Sequence, residues 1–139
     1  MADALVVAEE KPDLVLLGKQ AVDGDSNQVG QRLAEHLDWP MATFAATIRE
    51  EGGGVLVGRE VDGGVLTLRV KFPALVTVDL RIVAPKSVYS THTDAAHVYA
   101  EGVRFAPLPA IMAAKKKPLV VKTLADYAPG AALATRMVK

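Results

Sequence analysis

The pattern of hydrophobic and polar positions predicts a helix, a strand and a second helix along the first forty residues. Residues 1–12 predict a helix that ends before Pro12, because proline disfavours the helical conformation of the residue before it. The continuous apolar run from Asp13 to Gly18 is typical of a strand covered on both faces, as in a parallel sheet. The second helix then runs as far as Pro40. Its apolar stripe consists of Val29, Leu33, Ala34 and Leu37.

The middle of the chain has the pattern of an antiparallel ribbon. Residues 41–51 and 54–61 are two predicted strands, and the run from Val65 to Lys71 alternates apolar and polar residues, as in a strand with one buried face. Asp62-Gly63-Gly64 separates the last two strands, and Asp-Gly between such runs is a strong hairpin signal. Ala74 to Val78 is again a fully buried type of strand. The sequence therefore predicts a parallel α/β layer that carries an antiparallel excursion.

The last third of the chain has a weaker periodicity. Residues 83–103 have no clear period and predict a long loop, which in a compact domain usually marks function, disorder or a partner surface. Residues 105–117 predict a short helix with Pro109 near its first turn and lysines at its end. Leu119 to Val121 predict a last strand, and residues 123–139 a C-terminal tail. These strands are too few for a complete doubly wound sheet, so we expect the remaining strands to come from elsewhere.

Composition narrows the possible functions. The 139 residues form one domain or a fragment of one, and sixteen basic residues balance sixteen acidic ones, which argues against nucleic-acid binding. The absence of cysteine excludes disulfides, thiolate metal sites and cysteine nucleophiles. We expect no metal site, because His92 and His97 lack the i, i+4 spacing that places two imidazoles on one helix face. No apolar run approaches the roughly 18–20 residues of a membrane span.

The loop between the first strand and the second helix is the first candidate site. A strand that leads into a helix through a polar, glycine-containing loop directs backbone N–H groups at one point, which suits a phosphate. Residues 18–30 form such a loop, with Asp25 or Ser26 as the predicted N-cap and Gln28 at the capping-box position. Neither G-x-x-x-x-G-K-[ST] nor G-x-G-x-x-G is present. An ordinary βα connection that binds nothing is the alternative interpretation.

Four blocks of the sequence carry a more specific signal. They are LLGKQAVDGDSNQVGQ, LDWPMATFA, VGREVDGGVLTLRVKFPALVTVDLR and LPAIMAAKKKPLVV. The third block contains a signature that runs from a basic residue through Asp-Gly-Gly to a proline and Val-Thr. Its residues are Arg59, Asp62, Gly63, Gly64, Leu68, Pro73, Val76 and Thr77. In this order the blocks resemble the C-terminal half of the electron transfer flavoprotein β subunit, over roughly residues 13–83 and 105–122.

The resemblance implies an α/β fold, with a partial parallel sheet of the adenine-nucleotide-binding type and an inserted antiparallel ribbon. It also implies a single domain over residues 1–139 that is half of the β-subunit fold. Members of the family are heterodimers of α and β subunits that accept electrons from flavin dehydrogenases. FAD sits mainly in the α subunit and the β subunit buries a structural AMP, so this chain would meet FAD only through an α-type partner. The implied AMP-binding residues are Asp23, Asn27, Gln28, Val29 and Gly30.

A second implied site is the family's recognition loop, whose leucine anchors in a partner dehydrogenase. The corresponding docking residues are Leu108, Pro109, Ile111 and Met112. Before them the chain carries an inserted loop, roughly residues 84–104, which would crowd or remodel the docking surface. The family's acidic residue after Asp-Gly-Gly is Leu66 here, and the first lysine of its lysine cluster is Ala113.

Two functions are compatible with the resemblance. The first is an AMP-binding electron carrier, completed by a chain that supplies the N-terminal half and by an α-type subunit. The second is a structural accessory subunit of a larger, respiratory-type assembly that retains the fold without electron transfer. Neither is an enzyme, and the sequence has no evident nucleophile–base pair or carboxylate dyad. The resemblance places the chain on the mitochondrial matrix side or in a bacterial cytoplasm, with protein partners and no nucleic acid.

Overall fold

The computed structural model describes residues 2–94, 96–98, 105–127 and 129, and the chain divides into two compact units. The larger unit comprises residues 11–104, and the smaller one residues 1–10 and 105–139. In chain order the elements are α1 (Ala2–Glu10), β1 (Leu14–Gly18), α2 (Val29–Leu37), β2 (Met41–Glu51), β3 (Gly54–Val61), β4 (Gly64–Lys71), β5 (Ala74–Val78), a 3-10 helix (Leu80–Val83), β6 (Val88–Tyr89), α3 (Leu108–Ala114) and α4 (Leu124–Tyr127).

The larger unit is built on a mixed sheet with the strand order β1-β5-β2-β3-β4, and β6 also pairs with β2. β1, β5 and β2 are parallel, whereas β2, β3 and β4 form an antiparallel ribbon. The predicted α/β class, a parallel layer with an antiparallel ribbon, is confirmed. β2 belongs to both parts because its two edges have different partners, β5 on one and β3 on the other. Its 11 residues also exceed the 5 of β5, which leaves room for β6 to pair beyond β5.

The two faces of β5 are covered by different groups, which explains its continuous apolar sequence. One face contributes Ala74 and Val76 to the main core of the sheet. That core cluster consists of Ala42, Ala45, Ile48, Val55, Val57, Val70, Ala74 and Val76. The opposite face, with Leu75 and Thr77, lies under α2. The helix buries Leu33 and Ala34 of its predicted stripe, whereas Val29 is 63% exposed.

The smaller unit brings α1 and α4 into contact, and Lys122 forms an ion pair with Glu9 while its Nζ lies 5.2 Å from the ring centre of Tyr127. The predicted strand Leu119 to Val121 is wrong, because these three residues are exposed and belong to no strand. An apolar tripeptide can form a strand only beside a sheet edge, and the described residues of this unit contain no strand. Among the described residues, no helix is long and apolar enough to cross a membrane.

The predicted domain organisation stays a prediction: one domain over residues 1–139, with an inserted loop at 84–104 and a tail at 123–139. The described part of the inserted loop includes β6, which is attached to the sheet. The described part of the tail includes the single turn of α4.

Candidate functional site

The carboxyl ends of β1 and β5 and the end of the parallel part of β2 meet at one edge of the sheet. Gly18 at the end of β1 pairs with Val78 at the end of β5, and Val78 pairs in turn with Ala45 of β2. Residues 19–28, called the βα loop below, leave β1 at this edge and lead into α2. Ligands of open α/β sheets bind outside the carboxyl ends of the strands. The predicted phosphate loop therefore lies where such ligands bind.

Lys19 fixes the start of the βα loop to β5. Its backbone N–H donates to the carbonyl oxygen of Val78 at 3.0 Å, and its Nζ lies 2.7 Å from Oδ2 of Asp79. Oδ1 of Asp79 accepts a hydrogen bond of 3.1 Å from the backbone N–H of Arg81. The hydrogen bond from Lys19, together with that from Arg81, lowers the pKa of the Asp79 carboxyl. Asp79 is therefore ionised at neutral pH.

Gly30 fixes the far end of the loop by allowing α2 to approach the sheet closely. It is buried, and a Cβ at this position would collide with Cγ2 of Thr77 and lie 3.4 Å from Cδ2 of Leu75. Gly30 was predicted from the resemblance to contact a nucleotide. The structure places its Cα against the sheet, while its backbone N–H belongs to the first turn of α2, ahead of the first intrahelical bond from Arg32 N–H to Gln28 O.

The predicted N-cap is wrong. α2 begins at Val29 with Gln28 as N-cap, and no side chain caps it. Both predicted caps are engaged inside the loop: Nε2 of Gln20 donates to Oδ1 of Asp25 at 2.6 Å, and Oγ of Ser26 donates to the carbonyl oxygen of Gly24 at 3.0 Å. Among the described residues, no side chain therefore bonds the N–H groups of the first turn of α2, and such a turn attracts anions.

Two buried acceptors lie at the start of α2. Oδ1 of Asn27 and Oε1 of Gln31 are buried without a hydrogen-bond partner among the described residues. Asn27 also has a positive φ of 51°, which asparagine tolerates better than most residues. Gln31 was not among the predicted site residues. Its position in the first turn of α2, next to the end of the loop, is the signal that would have found it.

The remaining predicted nucleotide contacts lie on the outside of the loop. Asp23 and Gln28 are exposed, as is the side chain of Val29. The structure therefore brings Asn27 and Gly30 together with Gln31 at the start of α2, and it leaves the Asp23 side chain in an exposed turn.

The predicted docking residues form an exposed surface on α3. Leu108, Ile111 and Met112 are 71%, 44% and 52% exposed, and Pro109 lies in the first turn. No residue of α3 is buried in the smaller unit. The three lysines that follow, residues 115–117, are also exposed.

An arginine of the ribbon has an incomplete set of partners. The guanidinium of Arg59 on β3 lies over the ring of Phe44, 5.6 Å from its centre, and its Nε is buried without a partner among the described residues. Its cross-strand neighbour is Leu66, which is 44% exposed. Phe44 lies in a bulge of β2 with a φ of 58°, and its N–H donates to Oγ1 of Thr77.

The first residues of the inserted loop are bound to β2 as an extra strand. The N–H of Ile48 donates to the carbonyl oxygen of Ser87 at 2.7 Å, and Arg49 lies over the ring of Tyr89 at 4.9 Å. The Glu50 carboxylate accepts hydrogen bonds from Oγ of Ser90 at 2.6 Å and from the N–H of Thr91 at 3.3 Å, and Nδ1 of His92 lies 3.4 Å away. The Ser90 hydrogen bond is the main reason why the pKa of Glu50 is lowered.

The described residues contain no group of three or more side chains suited to a metal ion. A family model for the electron transfer flavoprotein domain matches residues 2–127. The chain belongs to the electron transfer flavoprotein family.

Its relatives in this family are β subunits. Electron transfer flavoprotein subunit beta of Bradyrhizobium diazoefficiens is 49% identical over 122 residues, covering 88% of this chain and 42% of that protein. The Sus scrofa subunit is 48% identical over 123 residues, covering 88% and 41%. The mitochondrial subunit of Arabidopsis thaliana is 43% identical over 119 residues, covering 84% and 40%. The chain is thus similar to the electron transfer flavoprotein β subunit and spans about two fifths of the length of these relatives.

Proposed function

We propose that this chain holds one side of a structural AMP and works as an electron-carrier subunit rather than as an enzyme. The observation that carries the proposal is the pair of buried acceptors at the start of α2, Oδ1 of Asn27 and Oε1 of Gln31. Buried polar atoms in native proteins almost always have a partner. A nucleotide supplies suitable donors in its ribose hydroxyls and its adenine amino group, so these residues fit AMP.

The backbone of α2 supplies the complementary part of such a site. The N–H groups of Val29, Gly30 and Gln31 precede the first intrahelical bond, and the positive end of the helix dipole lies beside them. They would donate to the phosphate, while Asn27 and Gln31 would accept from the nucleoside. The exposed Asp23 and Gln28 would border the nucleotide. AMP itself supplies no redox chemistry; its contribution is to fill and stabilise the pocket.

We further propose that another chain completes the sheet and the pocket. Among the described residues, β1 has a partner only on its β5 side, and Leu16 of β1 is 52% exposed. An unpaired strand edge favours pairing with another segment. In this proposal, FAD is bound by an α-type partner, which supplies the redox chemistry. One relative is named as a mitochondrial protein, and another comes from a bacterium. Both observations support the proposed location, which is the mitochondrial matrix or a bacterial cytoplasm.

The exposed apolar surface of α3 is the proposed docking site for a flavin dehydrogenase. Leu108 supplies the anchor, flanked by Pro109, Ile111 and Met112. Burying a leucine in a partner's pocket contributes about 2 kcal/mol.

A structural accessory role is the second candidate, and Leu66 favours it. This exposed leucine lies opposite Arg59, whose Nε has no hydrogen-bond partner in the described part of the chain. An apolar residue there suits a permanent protein contact better than a transient electrostatic one.

The two functions are separated by purifying the chain with its native partners and measuring AMP, flavin and electron uptake from a reduced flavin dehydrogenase. The carrier proposal predicts a colourless isolated chain, and a complex that contains AMP and a flavin that accepts electrons. A complex with AMP but without electron uptake would establish the accessory role. A flavin spectrum from the isolated chain would refute the proposed position of FAD.

Variants test the nucleotide site within that complex. Gln31→Leu, which removes the acceptor, is expected to lower the amount of AMP retained. His36→Ala is the matched control, because His36 is exposed in the last turn of the same helix. Equal AMP in both variants would contradict the proposed role of Gln31.

A further inference from the structure

We propose that Asp79 is a positioning residue for nucleotide binding: through its ion pair with Lys19 it holds the βα loop in the conformation that receives the phosphate. The inference rests on the proposed AMP site and extends it to a residue that lies outside the loop and has no predicted contact with the nucleotide.

The two ends of the βα loop are attached to the end of β5 and the residue that follows it. At the start, the N–H of Lys19 donates to Val78 O at 3.0 Å and its Nζ contacts Asp79 at 2.7 Å. At the far end, Gly30 packs on Thr77. Three consecutive residues, 77–79, therefore fix the position of both ends of the loop.

Between these two ends, the described hydrogen bonds of the loop residues join them only to one another. They join Gln20 to Asp25 at 2.6 Å, Asp25 to Ala21 at 3.4 Å and Ser26 to Gly24 at 3.0 Å. Such bonds shape the loop but do not attach it to the sheet. The anchors at its ends must therefore determine where its N–H groups point.

Asp79 is suited to this task because it is itself held firmly. Its N–H donates to the carbonyl oxygen of Ala45 at 2.9 Å, and Oδ1 caps the 3-10 helix through Arg81. Its side chain is 16% exposed, against 31% for Lys19. The long side chain of Lys19 is thus held by a short carboxylate that has a second hydrogen bond of its own. Ordering a loop before a ligand arrives strengthens binding, because the ligand no longer has to order it.

The test is Asp79→Asn, which retains an acceptor for Arg81 N–H but removes the charge that holds Lys19. In the complex of the full chain with its native partners, the dissociation constant for AMP is expected to rise about three- to tenfold, as expected for a partly exposed charge-assisted bond. Hydrogen exchange of residues 20–28 is expected to accelerate, while exchange in β2 and β5 stays unchanged. The double variant Lys19→Met/Asp79→Asn is expected to bind AMP no more weakly than either single variant.

Glu51→Gln is the matched control, because Glu51 pairs with Arg69 at 2.9 Å on the ribbon. It is expected to change neither AMP affinity nor loop exchange. Unchanged loop exchange in Asp79→Asn would refute the inference, as would accelerated exchange throughout the sheet, which would show a merely structural role. Additive losses in the double variant would also refute it. Absence of AMP from the wild-type complex would refute the proposed nucleotide site instead, and the loop exchange of the two proteins would still decide whether Asp79 orders the loop.

Discussion

Gly30 of α2 lies so close to Thr77 of β5 that a Cβ at residue 30 would collide with the Thr77 methyl group. This contact sets the distance between the helix and the sheet, and with it the position of the N–H groups at the start of α2. Helix packing and the proposed phosphate site therefore depend on the same pair of residues.

Gly30→Ala is expected to destabilise the protein, because the added methyl overpacks the interface at a cost of about 1–3 kcal/mol. The gain in helix propensity offsets about 1 kcal/mol of that cost, so the expected net loss is up to about 2 kcal/mol. Chemical denaturation measures it. Thr77→Ser in the same chain removes the colliding methyl but retains the Oγ that accepts from Phe44 N–H, so it should restore part of the stability. Gly18→Ala is the control, since a Cβ there meets nothing within 4 Å.

Gln31→Met is expected to separate folding stability from nucleotide binding. The substitution replaces a buried, unpaired acceptor by an apolar group of similar shape, which is neutral or stabilising in the absence of ligand. AMP binding should weaken at the same time. Denaturation with and without added AMP measures both effects. A loss of stability without AMP would show that Oε1 already has a partner.

Leu66→Glu is expected to stabilise the ribbon by about 0.2–1 kcal/mol, because it places a carboxylate opposite Arg59. Val65→Glu is the matched variant at the adjacent position, which is also exposed and apolar but lies opposite Glu60. Like charges across strands repel, so Val65→Glu should be destabilising. Equal effects of the two substitutions in thermal denaturation would show that Arg59 does not sense the charge at position 66.

Acidification is expected to loosen the attachment of the inserted loop to β2. The pKa of Glu50 in the folded protein lies below its ordinary value of 4.5, mainly because of the Ser90 hydrogen bond. A carboxylate with a depressed pKa contributes fully above the ordinary value and loses its contribution as the pH falls through the folded-state pKa. The amide resonance of Thr91 should therefore shift only below about pH 4.5. Glu50→Gln should abolish this shift, whereas Glu51→Gln should retain it.

Leu108→Ala is expected to weaken binding to a partner dehydrogenase by roughly ten- to thirtyfold, which corresponds to most of the 2 kcal/mol gained by burying a leucine. The melting temperature of the Leu108→Ala variant should equal that of the wild type, because Leu108 is 71% exposed. Leu80→Ala, at a leucine of the 3-10 helix that is 81% exposed, should affect neither property. Calorimetric titration measures the affinity, and equal losses in both variants would contradict a specific anchor.

The candidate site was only partly predictable from its residue types. The polar loop and its position after an apolar strand were evident, because both are local properties of residues 13–30. The N-cap was predicted wrongly because Asp25 has a competing partner in Gln20, and residue type alone does not show which hydrogen bond forms. Gln31 was missed because its burial depends on neighbours that are distant in sequence.

The sequence by itself determined the strands and turns of the ribbon, the positions of β1 and β5, the buried character of β5, and the two breaks at Pro12 and Pro40, since periodicity and turn residues act locally. The prediction that β1 is covered on both faces was wrong: among the described residues β1 is an edge strand, and Leu16 is 52% exposed. Only the tertiary structure decided that β5 lies between β1 and β2, and that Leu119 to Val121 form no strand. Strand order depends on pairing between residues such as Leu17 and Thr77, which are far apart in sequence. For the same reason, only the folded chain shows that Lys19, Gly30 and the end of β5 converge on one loop.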